Sequence, residues 1–252
     1  MYDRLWQLSH RLHLGHRATR ALESSLLRTL EPLSRSTAAG TRRLYRRLAP
    51  IHATGFRYLL YLEHLQDPGF PPVDRVFLTD TRDLIFQRDP FDTAHSGHAL
   101  TMFLEERSMT IGACLANSGW MRQCYGETAL AAIADRPIYC SGTMLGDRDA
   151  MVTYLEALIR EIARAAGRRF VAPSGFDQAC HNHLLYGGPP VPFVAADNGA
   201  AAVMQLAHRP DDRLEFSPDG ELLNDDGAVV PVVHQWDRHA EAFRPMLERL
   251  LA

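Results

Sequence analysis

Apolar positions recur with a helical period at the start of this chain and change to a mixed strand-and-helix rhythm from residue 51. Leu5, Leu8 and Leu12, then Leu22, Leu26, Leu27 and Leu30, fall three or four apart, which predicts two or three amphipathic helices in residues 1–50. Arg42, Arg43, Arg46 and Arg47 crowd the end of that segment, and only Asp3, Glu23 and Glu31 oppose its arginines. Such a basic amphipathic stretch is either an ordinary packed helix with a solvated arginine face or a peripheral contact with an anionic membrane surface.

Beyond it the pattern alternates. Residues 56–65 read as a helix with Leu59, Leu60, Leu62 and Leu65 available to a core, and Pro68-Gly69 and Pro71-Pro72 end it. Val76-Phe77-Leu78 is a short continuous apolar run, the signature of a strand in the buried centre of a mostly parallel sheet. Residues 99–104 form a second strand, and Tyr139-Cys140 opens a third short element. Residues 117–126 read as a core-packed helix stopped by Gly126, 149–166 as the clearest helix, 176–185 as another and 240–251 as a terminal one. Between 191 and 234, short strands alternate with Asp219-Gly220 and Asp226-Gly227 turns. The expectation is an α/β fold: a mostly parallel central sheet flanked by helices over 51–252, preceded by a helical extension over 1–50.

Composition narrows the function. A net charge of -3 and a pI near 6.4 lack the basic footprint of a nucleic-acid binder. Cys114, Cys124, Cys140 and Cys180 show no paired spacing, which predicts free buried thiols in a reducing compartment. No apolar run approaches the roughly 20 residues that span a bilayer, and polar residues interrupt any signal-peptide core near the N-terminus. The expected location is cytoplasmic; membrane association on the cytoplasmic face is the alternative that follows if the basic helices lie on a membrane rather than pack on the core.

Chemistry concentrates after the first core strand, in Thr79-Asp80-Thr81-Arg82-Asp83 followed by Asp89-Pro90-Phe91. Two carboxylates at the carboxyl end of a buried strand sit where open α/β sheets place ligands, and they suit a hard cation. The same spacing also fits a helix N-cap whose charge Arg82 compensates. No nucleophile elbow, phosphate-binding P-loop or dinucleotide fingerprint is present. Glu105 and Glu106 follow the second strand and read as a solvated loop or, alternatively, as carboxylates of an acceptor site.

In these segments the chain resembles the nucleotide-diphospho-sugar transferases of the GT-A class, in which an apolar strand runs into an acidic metal motif and often an Asp-Pro. Asp83 aligns with the second acidic residue of that motif, while Asp80 stands one place before the first, where Thr81 falls. Tyr139-Cys140-Ser141-Gly142 resembles the segment lining the sugar site, Gly175-Phe176-Asp177-Gln178 the Asp-Gln element beside the transferred sugar, and Val233-His234 the late histidine of the metal shell. The resemblance covers residues 75–239. It implies a GT-A-like, Rossmann-like core that moves a sugar from a UDP- or GDP-sugar to an acceptor hydroxyl with Mn²⁺ or Mg²⁺. Asp80, Asp83 and His234 would hold the metal, Arg82, Ser141, Gly142 and Arg238 would bind the donor, and Asp177 and Gln178 would act catalytically. Asp177 would be the general base of an inverting reaction. Plain structural roles stand beside each: a helix cap for Asp177, a turn for Ser141-Gly142, a satisfied core histidine for His234, a solvated loop for Arg238 and His239. A non-catalytic relative that keeps the fold as a structural or partner-binding protein is the alternative.

Overall fold

The computed structural model describes residues 53–92, 99–168 and 175–251. The basic helices expected over 1–50, and with them the choice between core packing and membrane contact, lie outside the described residues. Helix α1 (Ala53–Gln66) buries Tyr58, Leu59, Leu62 and Leu65, one face at helical spacing, while Leu60, expected in the core, falls on the opposite side and is 48% exposed. Strands β1 (Arg75–Thr79), β2 (Leu84–Phe86) and β3 (Leu100–Leu104) follow. Helices α2 (Leu115–Tyr125) and α3 (Glu127–Ile133) are separated by Gly126, whose positive φ of 87° ends the first and starts the second. Next come β4 (Tyr139–Asp147), α4 (Arg148–Arg168) and α5 (Phe176–Gly187), then β5 (Val194–Ala196), β6 (Val203–Gln205), β7 (Glu215–Phe216), β8 (Leu222–Leu223), β9 (Val232–His234) and α6 (Ala240–Leu251).

The larger sheet has the order β1-β4-β3-β5, and a second, three-stranded sheet has the order β2-β9-β6. Strand β4 runs antiparallel to both β1 and β3, and only β3–β5 is parallel. In the second sheet β2–β9 is antiparallel and β6–β9 parallel. The α/β class therefore holds, but the mostly parallel sheet expected from the sequence is replaced by two small mixed ones. Among the described residues β1 stands at the sheet's edge, and of its residues only Val76 is fully buried. Strand β4, one of the two interior strands, was expected as a short element and is nine residues long, with everything from Tyr139 to Gly146 buried.

Helix α4 packs Met151, Tyr154, Leu155, Leu158, Ile159 and Ile162 into the main core together with α1 and α5. Phe103, Leu145, Val203 and Val232 join the two sheets in a shared apolar layer, each large side chain there contributing about 1.5–3 kcal/mol by leaving water. Phe243 and Met246 of α6 cover the second sheet. All four cysteines are free and buried, as expected. No helix among the described residues is long and apolar enough to cross a membrane.

Candidate metal and sugar-nucleotide site

The loop between β1 and β2 carries the two aspartates from one sheet to the other. At its start, Asp80 N–H donates to the Gly142 carbonyl over 2.8 Å, extending the β1–β4 pairing by one residue. At its end, Leu84 lies opposite His234 in the β2–β9 register, and Gln235 N–H donates to the Asp83 carbonyl over 2.7 Å. Gln235 is the only non-glycine residue with a positive φ among the described residues, at 64°. That conformation is costly outside glycine and is held by its amide bonds on both sides. The side chain closes the turn, since Gln235 Oε1 accepts from Ala207 N–H.

These constraints gather Asp80, Asp83 and His234. His234 Nε2 lies 3.6 Å from Asp80 Oδ2 and 3.6 Å from Asp83 Oδ1, and one ligand atom from each of the three residues falls within 4.8 Å of the others. The imidazole is 1% exposed, and its Nε2 has no hydrogen-bond partner. Its other nitrogen is engaged. Nδ1 donates to Gln205 Oε1 over 2.6 Å, while Gln205 Nε2 donates to Thr143 Oγ1 over 2.6 Å. The amide thus fixes the tautomer, leaving the Nε2 lone pair aimed at two carboxylates. Burial pushes the His234 pKa down, against the pull of Asp83, so the neutral ligand form is favoured.

Gly142 lines the same space. A Cβ there would stand 2.7 Å from both Asp80 Oδ2 and His234 Cε1. The plain turn that stood as the alternative for Ser141-Gly142 is excluded: both lie in strand backbone, and Gly142 permits the close approach. Two carboxylates and the free nitrogen of an imidazole make a donor set that could hold a metal ion.

A second polar layer adjoins the first. Arg57, on α1, pairs with Asp80 Oδ1, reaches Asp177 Oδ2 at 3.0 Å and donates to the Ser141 carbonyl at 3.2 Å. Tyr58 OH donates to the same carbonyl at 2.9 Å and lies 3.3 Å from Asp177 Oδ2. Burial works against the Arg57 charge, yet Tyr58 and Asp177 hold its pKa above the ordinary range. Asp177, 3% exposed, is therefore an ion-pair partner inside α5; the N-cap position belongs to Gly175. Gln178 accepts from Ser141 N–H and Oγ at 3.2 Å each, and its amide donates to Glu105 Oε1 at 3.0 Å and Asn117 Oδ1 at 3.1 Å.

Arg82 and Arg238 stand apart from the triad. Both are exposed, and both flank Asp237, with Arg82 Nη2 at 3.4 Å and Arg238 Nε at 4.0 Å. The solvated-loop alternative for His239 does not hold: Nδ1 pairs with Asp211, and Nε2 meets the Leu206 carbonyl at 3.0 Å. Glu105 and Glu106 correct the solvated-loop reading further, at 2% and 8% exposure. Glu106 pairs with Arg209 at 3.5 Å and Arg213 at 3.4 Å.

Arg57, Tyr58, Gln205, Asn117 and His208 were not anticipated. The available signal was a polar side chain within an apolar run, as in Val203-Met204-Gln205-Leu206.

The chain matches no protein-family model, and no curated protein matches it in sequence.

Proposed function

We propose that this protein is a metal-dependent glycosyltransferase of the GT-A type, transferring a sugar from a UDP- or GDP-sugar to an acceptor hydroxyl. The observation that carries this reading is the buried, unpartnered Nε2 of His234 facing the carboxylates of Asp80 and Asp83. A buried imidazole nitrogen without a partner costs about 1–3 kcal/mol, a cost that binding a cation offsets.

In this reading Asp80, Asp83 and His234 hold Mn²⁺ or Mg²⁺, which when bound offsets the negative charge that develops on the departing nucleoside diphosphate. Gly142 leaves room for the ligand beside those carboxylates. Arg82 and Arg238, exposed at the rim, meet phosphate oxygens. Arg57 keeps Asp80 oriented and ties it to Asp177. Ser141, Gln178 and Asn117, hydrogen-bonded to one another, form a fixed amide-and-hydroxyl wall beside the site, of which Gln178 is the least buried member and the one set to meet a sugar hydroxyl. Asp177 serves in positioning rather than as a base, because Arg57 and Tyr58 already occupy its Oδ2.

The experiment is calorimetric titration with UDP, GDP and their common sugar conjugates, with and without Mn²⁺, on wild type and Asp83→Ala. Binding of one nucleotide that needs Mn²⁺ and vanishes in Asp83→Ala is the expected result. A folded wild type that binds none of them overturns the reading and favours a non-catalytic relative.

A further inference from the structure

The proposed transfer leaves one proton unassigned, that of the acceptor hydroxyl. Most acid–base groups around the site are already committed. Asp80, Asp83 and His234 form the metal set, Asp177 is bonded to Arg57 and Tyr58, Glu106 to Arg209 and Arg213, and both nitrogens of His239 are engaged. Glu105 and His208 remain. Glu105 Oε1 takes the Gln178 amide, while Oε2 is buried without a hydrogen bond, at an ion-pair distance of 3.3 Å from His208 Nε2. His208 itself is 24% exposed and so links that buried oxygen to solvent.

Resting on the glycosyltransferase reading, we infer that Glu105 and His208 form the proton relay for the acceptor hydroxyl, with His208 as the catalytic residue and Glu105 as the positioning residue behind it. The hydroxyl oxygen bonds to the anomeric carbon as the bond from that carbon to the diphosphate breaks, with the electron pair leaving on the nucleoside diphosphate. The hydroxyl proton passes to His208 Nδ1 while the Nε2 proton passes to Glu105 Oε2, and the imidazole ends neutral in its other tautomer. Displacement from the face opposite the leaving group inverts the anomeric configuration.

The order of basicities favours this direction. Burial raises the Glu105 carboxyl to about 7, moderated by Gln178, His234 and Arg238. Burial and then Arg238 lower His208. In a serine-protease triad the carboxylate is the weaker base and stays ionised; here it is the stronger and keeps the proton. Gln178 of α5, Asn117 of α2 with Cys114 just before that helix, and His234 at the end of β9 with Arg238 beyond it surround the pair. Of these, the Cys114 thiol lies 3.7 Å from His208 Nε2 and receives Asn117 Nδ2 at 3.2 Å.

Nitrogen-15 NMR of the histidine-labelled full chain tests the pairing without any substrate. The relay predicts that His208 changes from the Nδ1–H tautomer to the Nε2–H tautomer as pH rises through about 7, and that Glu105→Gln abolishes the change. A single tautomer throughout, or a switch that persists in Glu105→Gln, overturns the inference. The second arm follows Mn²⁺-dependent hydrolysis of UDP- and GDP-sugars, with water as acceptor. His208→Ala and Glu105→Gln are expected to slow it by at least about 100-fold while keeping Mn²⁺-dependent nucleotide binding. Binding retained with an unchanged rate overturns the relay alone. A wild type with no such binding overturns the donor reading, and the relay falls with it.

Discussion

His234 and Gln205 stand opposite each other in the parallel β6–β9 register, and their side chains share a 2.6 Å hydrogen bond. The bond orients the imidazole from behind, as an outer-shell partner does for a metal-binding histidine. Gln205→Leu should therefore lower Mn²⁺ affinity by about 10–100-fold with the three ligands intact. Metal titration followed by the paramagnetic signal of free Mn²⁺ measures it, and an unchanged affinity would leave Gln205 a packing residue only.

Gly142 makes a steric prediction. The methyl of Gly142→Ala would press on Asp80 and His234 at 2.7 Å. The variant should fold with a loss of about 1–3 kcal/mol in urea unfolding, the usual cost of overpacking, and bind Mn²⁺ far more weakly. A variant with wild-type affinity would show that the site does not use this close approach.

Arg57 and Asp177 are coupled. Their contact spans 120 positions of sequence and is largely buried, so Arg57→Met strands the Asp177 carboxylate. The expected destabilisation is about 3–5 kcal/mol, and Arg57→Met with Asp177→Leu should recover part of it. Denaturant unfolding of the two singles and the double tests the coupling; additive losses would contradict it.

Glu105 predicts a pH-dependent stability. Its carboxyl sits near 7 when folded, because burial disfavours the charge, against 4.5 for the free group. Between those values the folded state binds more protons than the unfolded one, so stability falls as pH rises from about 4.5 through about 7 and then levels. The full loss is about 3 kcal/mol by the shift. Glu105→Gln should flatten that part of the profile in thermal unfolding; an unaltered slope would show that Glu105 ionises freely.

Part of this site was legible in the sequence. Asp80, Asp83 and His234 stood at the ends of apolar strands, where backbone direction ends and ligands gather, and the structure draws them together. The helices of residues 56–65, 149–166 and 176–185 were legible because their apolar positions follow one period. Strand direction was not. The β1–β4 and β3–β4 pairings depend on how distant segments return, and nothing local in Val76-Phe77-Leu78 records whether its neighbour runs parallel. At three residues, β2 was too short to carry a period. Arg57 and Glu105 were illegible for a related reason. A guanidinium on a helix and a carboxylate after a strand read as solvated until the fold brings their partners, Asp177 and Gln178, from 120 and 73 positions away in sequence.

The central claim is that Asp80, Asp83 and His234 bind one divalent cation through the free Nε2 of His234. Titrating Mn²⁺ into wild type, His234→Ala and Asp83→Asn, with bound metal read from the loss of the free-ion paramagnetic signal, tests it most directly. The account predicts one site per chain in wild type and at least about a 100-fold weaker one in each variant, beyond what an outer-shell change costs. Equal Mn²⁺ binding by wild type and His234→Ala would contradict it.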